Sequence, residues 1–483
     1  MSSQQTSGDQ PDRNELARRL RAHGQEHLLV GWERLSPAER RRLAEQIDSI
    51  DFALLSRLAH EQDQAIDWQT RLARAAPPPA IRLHGENRYA ASAARAAGED
   101  SLRAGRVAAL LVAGGQGTRL GFEHAKGLYP IGPVSGASLF QILFEKLLAV
   151  RRRYGAAIPL FLMTSPATHS ETVEYLDRVG RFGLPAEDLF VFCQGTMPAI
   201  DAATARVLLA APGAIALSPD GHGGMLAALE RGGGLTELAG RGIEQLFYLQ
   251  VDNPLVSVCD AEFLGYQRLA GAEVVTQAVC KHAPREKVGN IVSIDDRLEI
   301  CEYSEFNTLG DDVIARRAAD GSLKFWAGST AVHVFDVAFL RRMAAESERL
   351  PFHRALKKVP FVDDAGRLVE PAEPNALKFE RFIFDLLPSA NSALVVEVDE
   401  QTGFAPLKNA AGEPRDTPAS VQAQMSVLYA GWLHQAGFDL PPDTPVEISP
   451  LFALDAAELR TKAAEVRQAL GPAAHRAESL YLR

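Results

Sequence analysis

Apolar and polar positions change rhythm several times along this chain. From about Glu15 to Ala75, apolar residues recur at helical spacing. Ser36-Pro37-Ala38-Glu39 forms a capping box with proline at the first helical position. Pro77-Pro78-Pro79 then ends the helical stretch and stiffens a connector. From about residue 101 to 400, short apolar runs alternate with helical patterns. Val107–Leu110, Pro159–Met163, Leu189–Phe192 and Gln245–Val251 read as strands, and Leu139–Val150, His169–Arg181 and Met225–Glu230 as helices. This alternation predicts an α/β fold with a mixed, mostly parallel sheet covered on both faces. Beyond about residue 400 the pattern changes again. Val395–Val398 reads as a strand, and Thr417–Ala436 as a helix with Pro418 near its start and Gly437 after its end. Three regions are expected: a helical N-terminal region 1–100, an α/β domain 101–400 and a small α+β domain 401–483. Residues 1–13 are polar and expected to be disordered.

In such sheets, ligands bind outside the carboxyl ends of the strands. Three landmarks fall there. The first is the loop after Val112, which carries Gly114, Gly115 and Gly117. Glycines allow a tight turn, and successive backbone N–H groups in such a turn bind anions. Arg119 and Lys126 add two cations, so the loop reads as a polyphosphate cradle; a glycine turn without a ligand is the plainer alternative. It is not a P-loop, because the chain has no Gly-Lys-Ser/Thr. A dinucleotide loop is disfavoured, because Leu120 stands where the third glycine belongs. The second landmark is Gln194, whose side chain offers both donor and acceptor. The third is Asp252, at the end of Gln250-Val-Asp-Asn253. Taken alone, each of these two is an ordinary loop or cap residue.

Composition narrows the class. The chain has 483 residues, 46% hydrophobic and 23% charged, with a formal net charge of −10. The acidic balance argues against broad binding to nucleic acid or to an anionic membrane. No apolar run is long enough to span a membrane, and the polar N-terminus lacks a signal-peptide core. Cys193, Cys259, Cys280 and Cys301 are widely spaced, with no zinc pattern. Free thiols and a cytoplasmic location are the expectation.

Gly-Gln-Gly-Thr-Arg-Leu-Gly followed by Lys126 resembles the nucleotide loop of the sugar-nucleotide pyrophosphorylases. It is most similar to the eukaryotic-type UDP-N-acetylglucosamine enzymes and their UDP-glucose relatives. Ala125 stands where that family usually has proline. The resemblance runs from about residue 105 to 455, with the motifs in order. It implies a Rossmann-like nucleotidyltransferase in which a sugar 1-phosphate attacks UTP, with Mg2+ assisting. It implies nucleotide binding by Gly114, Gly115, Gly117, Gln194 (toward uracil), Gly221 and His222. Arg119, Lys126 and Lys408 would meet the phosphates, and Asp252 the metal. Sugar contacts are implied for Gly289, Glu302, Ser329, Phe382 and Phe384. The two aromatics are core residues by composition alone.

The motifs pull the sugar in two directions. Phe404-Ala-Pro-Leu-Lys-Asn-Ala410 resembles the acetylglucosamine branch. Gly221-His222-Gly223 resembles the glucose and broader UDP-sugar branch, where the acetylglucosamine enzymes carry asparagine. Ser329 also replaces a usual asparagine. A UDP-N-acetylhexosamine product is the expectation. A UDP-glucose or broad-specificity enzyme is the near alternative, and a nucleotide-binding regulator without turnover the distant one.

Overall fold

The strand Val107–Val112 sits inside a ten-stranded sheet, with Gln245–Gln250 and Leu160–Thr164 parallel on its two sides. The computed structural model describes residues 11–60, 67–346, 350–470 and 478–483. Along the sheet the strands run Ala80–Ile81, Ala393–Glu397, Val274–Cys280, Ala327–Asp336, Gln245–Gln250, Val107–Val112, Leu160–Thr164 and Leu189–Cys193. Of these eight, Ala327–Asp336 alone runs against its neighbours. The hairpin Asn290–Ile294/Arg297–Cys301 joins it through Asn290 and Gly328. The fold is therefore mixed α/β with a large, mostly parallel central sheet. The expected strands and helices are present, with ends shifted by a few residues. The helix after the glycine loop runs Leu139–Tyr154, and the capping box at Ser36 and Glu39 forms.

The packing does not follow the boundaries expected at residues 100 and 400. The described residues divide into two compact units. One comprises those of 1–67, 195–225 and 348–383, and the other the remainder. In the smaller unit, Leu20, Leu28, Leu43 and Ile47 share a core with Ile200, Leu209, Ile215 and Phe379. The early helices thus bury their apolar stripe against distant strands, which local periodicity does not reveal. In the larger unit, the helix Ala91–Arg103 crosses Ala261–Ala270, where Gly98 and Gly265 leave no room for a side chain. Val421, Met425, Tyr429, Leu433, Leu480 and Leu482 belong to the same core as Val107 and Leu111. The segment after residue 400 is therefore part of the large unit's core. Residues 1–10 of the expected N-terminal tail lie outside the described residues.

Candidate active site

The glycine loop is fixed by its own backbone. Gly117 N–H donates to His124 O at 2.9 Å, and Lys126 N–H to Gly115 O at 3.0 Å. Gly121 takes a φ of +68°, which glycine tolerates. A side chain at Gly114 would stand 2.6 Å from Oε1 of Gln194, while Gly115 has open space around it. Ser165 Oγ donates to Gly114 O at 2.6 Å, and Gln194 N–H donates to Thr164 O at 2.9 Å. The loop and Gln194 thus meet at the carboxyl edge of the sheet, across the intervening strand Leu160–Thr164. Glu171, on the helix His169–Arg178 that follows the strand Leu160–Thr164, braces the loop by accepting from Ala125 N–H at 2.7 Å. No sequence signal marked Glu171. Arg119 is exposed and has no ion-pair partner among the described residues.

Lys126 and Asp252 come together. Nζ of Lys126 lies 3.5 Å from Oδ2 of Asp252, with both side chains largely buried. Val251 N–H donates to Val112 O, which aligns the Asp252 strand end with the loop's own strand. The adjacent Asn253 is 3% exposed and acts as a clamp. Its Nδ2 donates to Gly403 O at 2.9 Å, and its Oδ1 accepts from Ala405 N–H at 3.1 Å. Leu407 N–H donates to the Asp252 carbonyl at 2.8 Å. Lys408 follows directly, and its N–H and that of Asn409 both donate to Asp416 O at 2.9 Å. Asp416 sits at a φ of +59°, and its carboxyl interacts with Lys408 and with Asp252. Burial raises its pKa, and Lys408 opposes that rise. Asn253 was visible inside its motif without a role, whereas Asp416 carried no signal.

The sugar residues expected in the large unit also converge. Ser329 N–H donates to Gly289 O at 2.8 Å. A side chain at Gly289 would stand 3.2 Å from Oε1 of Glu302 and 3.7 Å from Cβ of Ser329. Glu302 leads into the short helix Tyr303–Phe306, its carbonyl accepting from Phe306 N–H at 2.8 Å. Phe384 also belongs to the large unit.

Gly221, His222 and Phe382 belong to the smaller unit. Gly221 has a φ of +82°, and Gly223 N–H donates to Arg381 O at 2.8 Å. Side chains at either glycine would overlap the backbone of Arg381 and Phe382, so this close approach requires them. Phe382 is a half-buried ring rather than the core residue its composition suggests. It packs between His222 and His353 with the rings tilted by 32° and 37°, at centroid distances of 5.4 and 4.6 Å. Ile383 N–H donates to Nδ1 of His222 at 3.2 Å, which leaves the ring proton on Nε2. Desolvation, with a smaller push from His353, lowers the His222 pKa to about 4.

Among the described residues, no group of three or more His, Cys, Asp or Glu side chains forms a metal cage. A lone strand-end carboxylate still suits magnesium, which keeps several waters and rides on substrate phosphates. The donor set at Asp252 fits a phosphate-borne ion rather than a resident one.

Glycine-loop amides, two lysines and one aspartate at the carboxyl edge of a parallel sheet are the equipment of an α/β nucleotidyltransferase. The match to known proteins makes this particular. A family model described as UTP--glucose-1-phosphate uridylyltransferase matches residues 52–450, and the chain belongs to that family. It is 34% identical over 477 residues to the human UDP-N-acetylhexosamine pyrophosphorylase-like protein 1, covering 90% of this chain and 91% of the relative. It is 33% identical over 447 residues to the UDP-N-acetylglucosamine pyrophosphorylase of Saccharomyces cerevisiae, covering 88% and 92%. The solved structure of the Trypanosoma brucei uridine diphosphate N-acetylglucosamine pyrophosphorylase superposes with a TM-score of 0.82 at 26% identity, covering 99% of both chains. The protein is a UDP-sugar pyrophosphorylase, a nucleotidyltransferase for which the family implies UTP and a sugar 1-phosphate as substrates. No helix among the described residues is long and apolar enough to cross a membrane.

Proposed function

We propose that this enzyme joins UTP to N-acetylglucosamine 1-phosphate, giving UDP-N-acetylglucosamine and pyrophosphate, with a relaxed choice of sugar. A phosphate oxygen of the sugar 1-phosphate attacks the α-phosphorus of UTP. The new P–O bond forms as the bond from the α-phosphorus to the α–β bridging oxygen breaks, and that oxygen leaves on pyrophosphate. Two polyanions must meet and charge grows on the leaving group, so positioning and cations do the work.

The observation that carries this reading is the gathering of Lys126 and the Lys408 segment at Asp252. Lys126, Lys408 and the exposed Arg119 neutralise phosphate charge. Backbone N–H groups of Gly114, Gly115 and Gly117 orient the triphosphate, and Gln194 reads uracil. Gly221 and His222 are assigned to the nucleotide on their motif. Gly289, Glu302 and Ser329 take the sugar, and Phe382 and Phe384 are assigned to its N-acetyl group by resemblance. Asp252 would hold Mg2+, which supplies charge neutralisation and alignment of phosphate oxygens when bound. The Pro-Leu-Lys-Asn-Ala segment and the names of the relatives support the acetylated sugar. His222 and Ser329 support tolerance of glucose 1-phosphate. Pyrophosphate release from UTP, measured across a panel of sugar 1-phosphates, tests the assignment. Preference for glucose 1-phosphate would overturn the sugar, and no release with any sugar would overturn the reaction.

A further inference from the structure

Lys281 directly follows the strand Val274–Cys280 and is 4% exposed. Its ammonium donates to Pro284 O at 2.9 Å and to Oδ1 of Asn290, and lies 4.5 Å from the centre of the Phe306 ring. It forms no ion pair among the described residues. Burying an ammonium with only the more distant Glu286 carboxylate to offset the cost is expensive, and a methionine of similar length would fill the same space without that cost. Burial pushes its pKa down to about 8. The placement therefore calls for a reason beyond packing.

Asn290 supplies it. This residue is 0% exposed, and its Nδ2 contacts Val288 O at 3.2 Å and Cys301 O at 3.5 Å. Those two carbonyls directly precede Gly289 and Glu302. Asn290 also pairs with Cys301 and with Gly328, the residue before Ser329. Lys281 N–H donates to Trp326 O at 2.8 Å, directly before the strand Ala327–Asp336 that carries Gly328 and Ser329. One ammonium thus orients one carboxamide, and that carboxamide stands where the backbones carrying Gly289, Glu302 and Ser329 converge.

We infer that Lys281, acting through Asn290, is a positioning residue that sets the geometry of the sugar-binding residues Gly289, Glu302 and Ser329. The inference rests on the proposed assignment of those three residues to the sugar. Lys281 touches no substrate in this role. Its effect is on recognition of the sugar 1-phosphate, while UTP is bound by the glycine loop and Gln194 on other strands of the sheet.

The test is steady-state kinetics on the full chain carrying Lys281→Met, Asn290→Ser or both, with thermal melts to establish folding. The Michaelis constant for N-acetylglucosamine 1-phosphate is expected to rise at least about fivefold, while kcat and the constant for UTP stay within about twofold. The double variant is expected to be no worse than the worse single one, because both act through one hydrogen bond. A merely structural lysine would lower the melting temperature without this split. If Lys281→Met does not fold, Asn290→Ser carries the same expectation. A folded variant with an unchanged constant for the sugar, or with equal rises for both substrates, overturns the inference alone. A wild-type enzyme that releases no pyrophosphate with any sugar 1-phosphate overturns the functional reading and this inference with it.

Discussion

Leu407 donates its backbone N–H to the carbonyl of Asp252 at 2.8 Å, so the segment carrying Lys408 is fastened to the strand end that carries the metal candidate. Main-chain geometry thereby holds Lys408 beside Asp252, in addition to the side-chain contact between Asp252 and Lys126. Asp252→Asn keeps that main-chain bond and removes only charge. Activity is expected to fall at least about a hundredfold, roughly 2.7 kcal/mol of transition-state stabilisation, and to recover in part at high Mg2+. An unchanged magnesium dependence would put the metal elsewhere.

Arg119 stands free on the loop, so its removal costs no packing. Arg119→Ala should lower turnover at least about tenfold, some 1.4 kcal/mol, with the melting temperature unchanged. Full activity at saturating UTP would exclude Arg119 from phosphate contact.

Gly114 tests the uracil assignment. An added Cβ would meet Oε1 of Gln194 at 2.6 Å, the far end of a flexible side chain. Gly114→Ala should therefore displace the Gln194 carboxamide and spare the fold. The Michaelis constant for UTP is expected to rise about tenfold, equal to losing about 1.4 kcal/mol of binding. A variant with wild-type affinity for UTP would remove Gln194 from nucleotide recognition.

In the proposed sugar pocket, Ser329 is shorter than the asparagine usual at its place, and one lost hydrogen bond there would be worth about 0.5–1.5 kcal/mol. That is too little to exclude a sugar. N-acetylglucosamine 1-phosphate should be preferred, with glucose 1-phosphate used within about two orders of magnitude, since apolar discrimination gives only about 1–3 kcal/mol. Ser329→Asn should widen the gap, and kcat/KM for both sugars in both proteins decides it.

The histidine at 222 gives a pH dependence. Its folded pKa of about 4 lies below the ordinary 6.5, so the unfolded chain takes up this proton first. Its contribution to stability is full above pH 6.5 and is lost as pH falls toward 4. His27 is lowered by burial in the same direction. Urea midpoints from pH 7 to 4.5 should fall, and less steeply in His222→Asn. Equal slopes for the two proteins would show that His222 is not held neutral.

What the sequence revealed was local. Strand, glycine turn and following helix are written contiguously from Val107 to Tyr154, and each choice agrees with its neighbours. Asp252 and Gln194 stood out as strand-end positions, but taken alone each read as an ordinary loop or cap residue, and only the family resemblance singled them out. Less legible was anything decided by distant packing. Nothing in the periodicity of Leu20 or Leu43 names Ile215 or Phe379 as partners. The reversal of Ala327–Asp336 within a parallel sheet was equally hidden, since a buried run reads the same in either direction. Lys281, Asn290 and Asp416 escaped notice because their significance lies in the carbonyls and charges that surround them, not in any motif.

Synthesis on the ribosome gives the discontinuous packing a temporal meaning. The large unit's sheet takes strands from Ala80–Ile81 onward, yet its core includes Leu480 and Leu482, which pair with Val446 and Ile448. The smaller unit's core needs nothing beyond Phe379. Translation at about 5–20 residues per second leaves several seconds in which one core has all its parts and the other does not. During that interval the central sheet lacks the part of its core that Leu480 and Leu482 supply. Chaperone demand and aggregation in the cell should therefore respond most to changes in the segment after Phe379 that completes the large core, although the glycine loop and Asp252 lie far upstream.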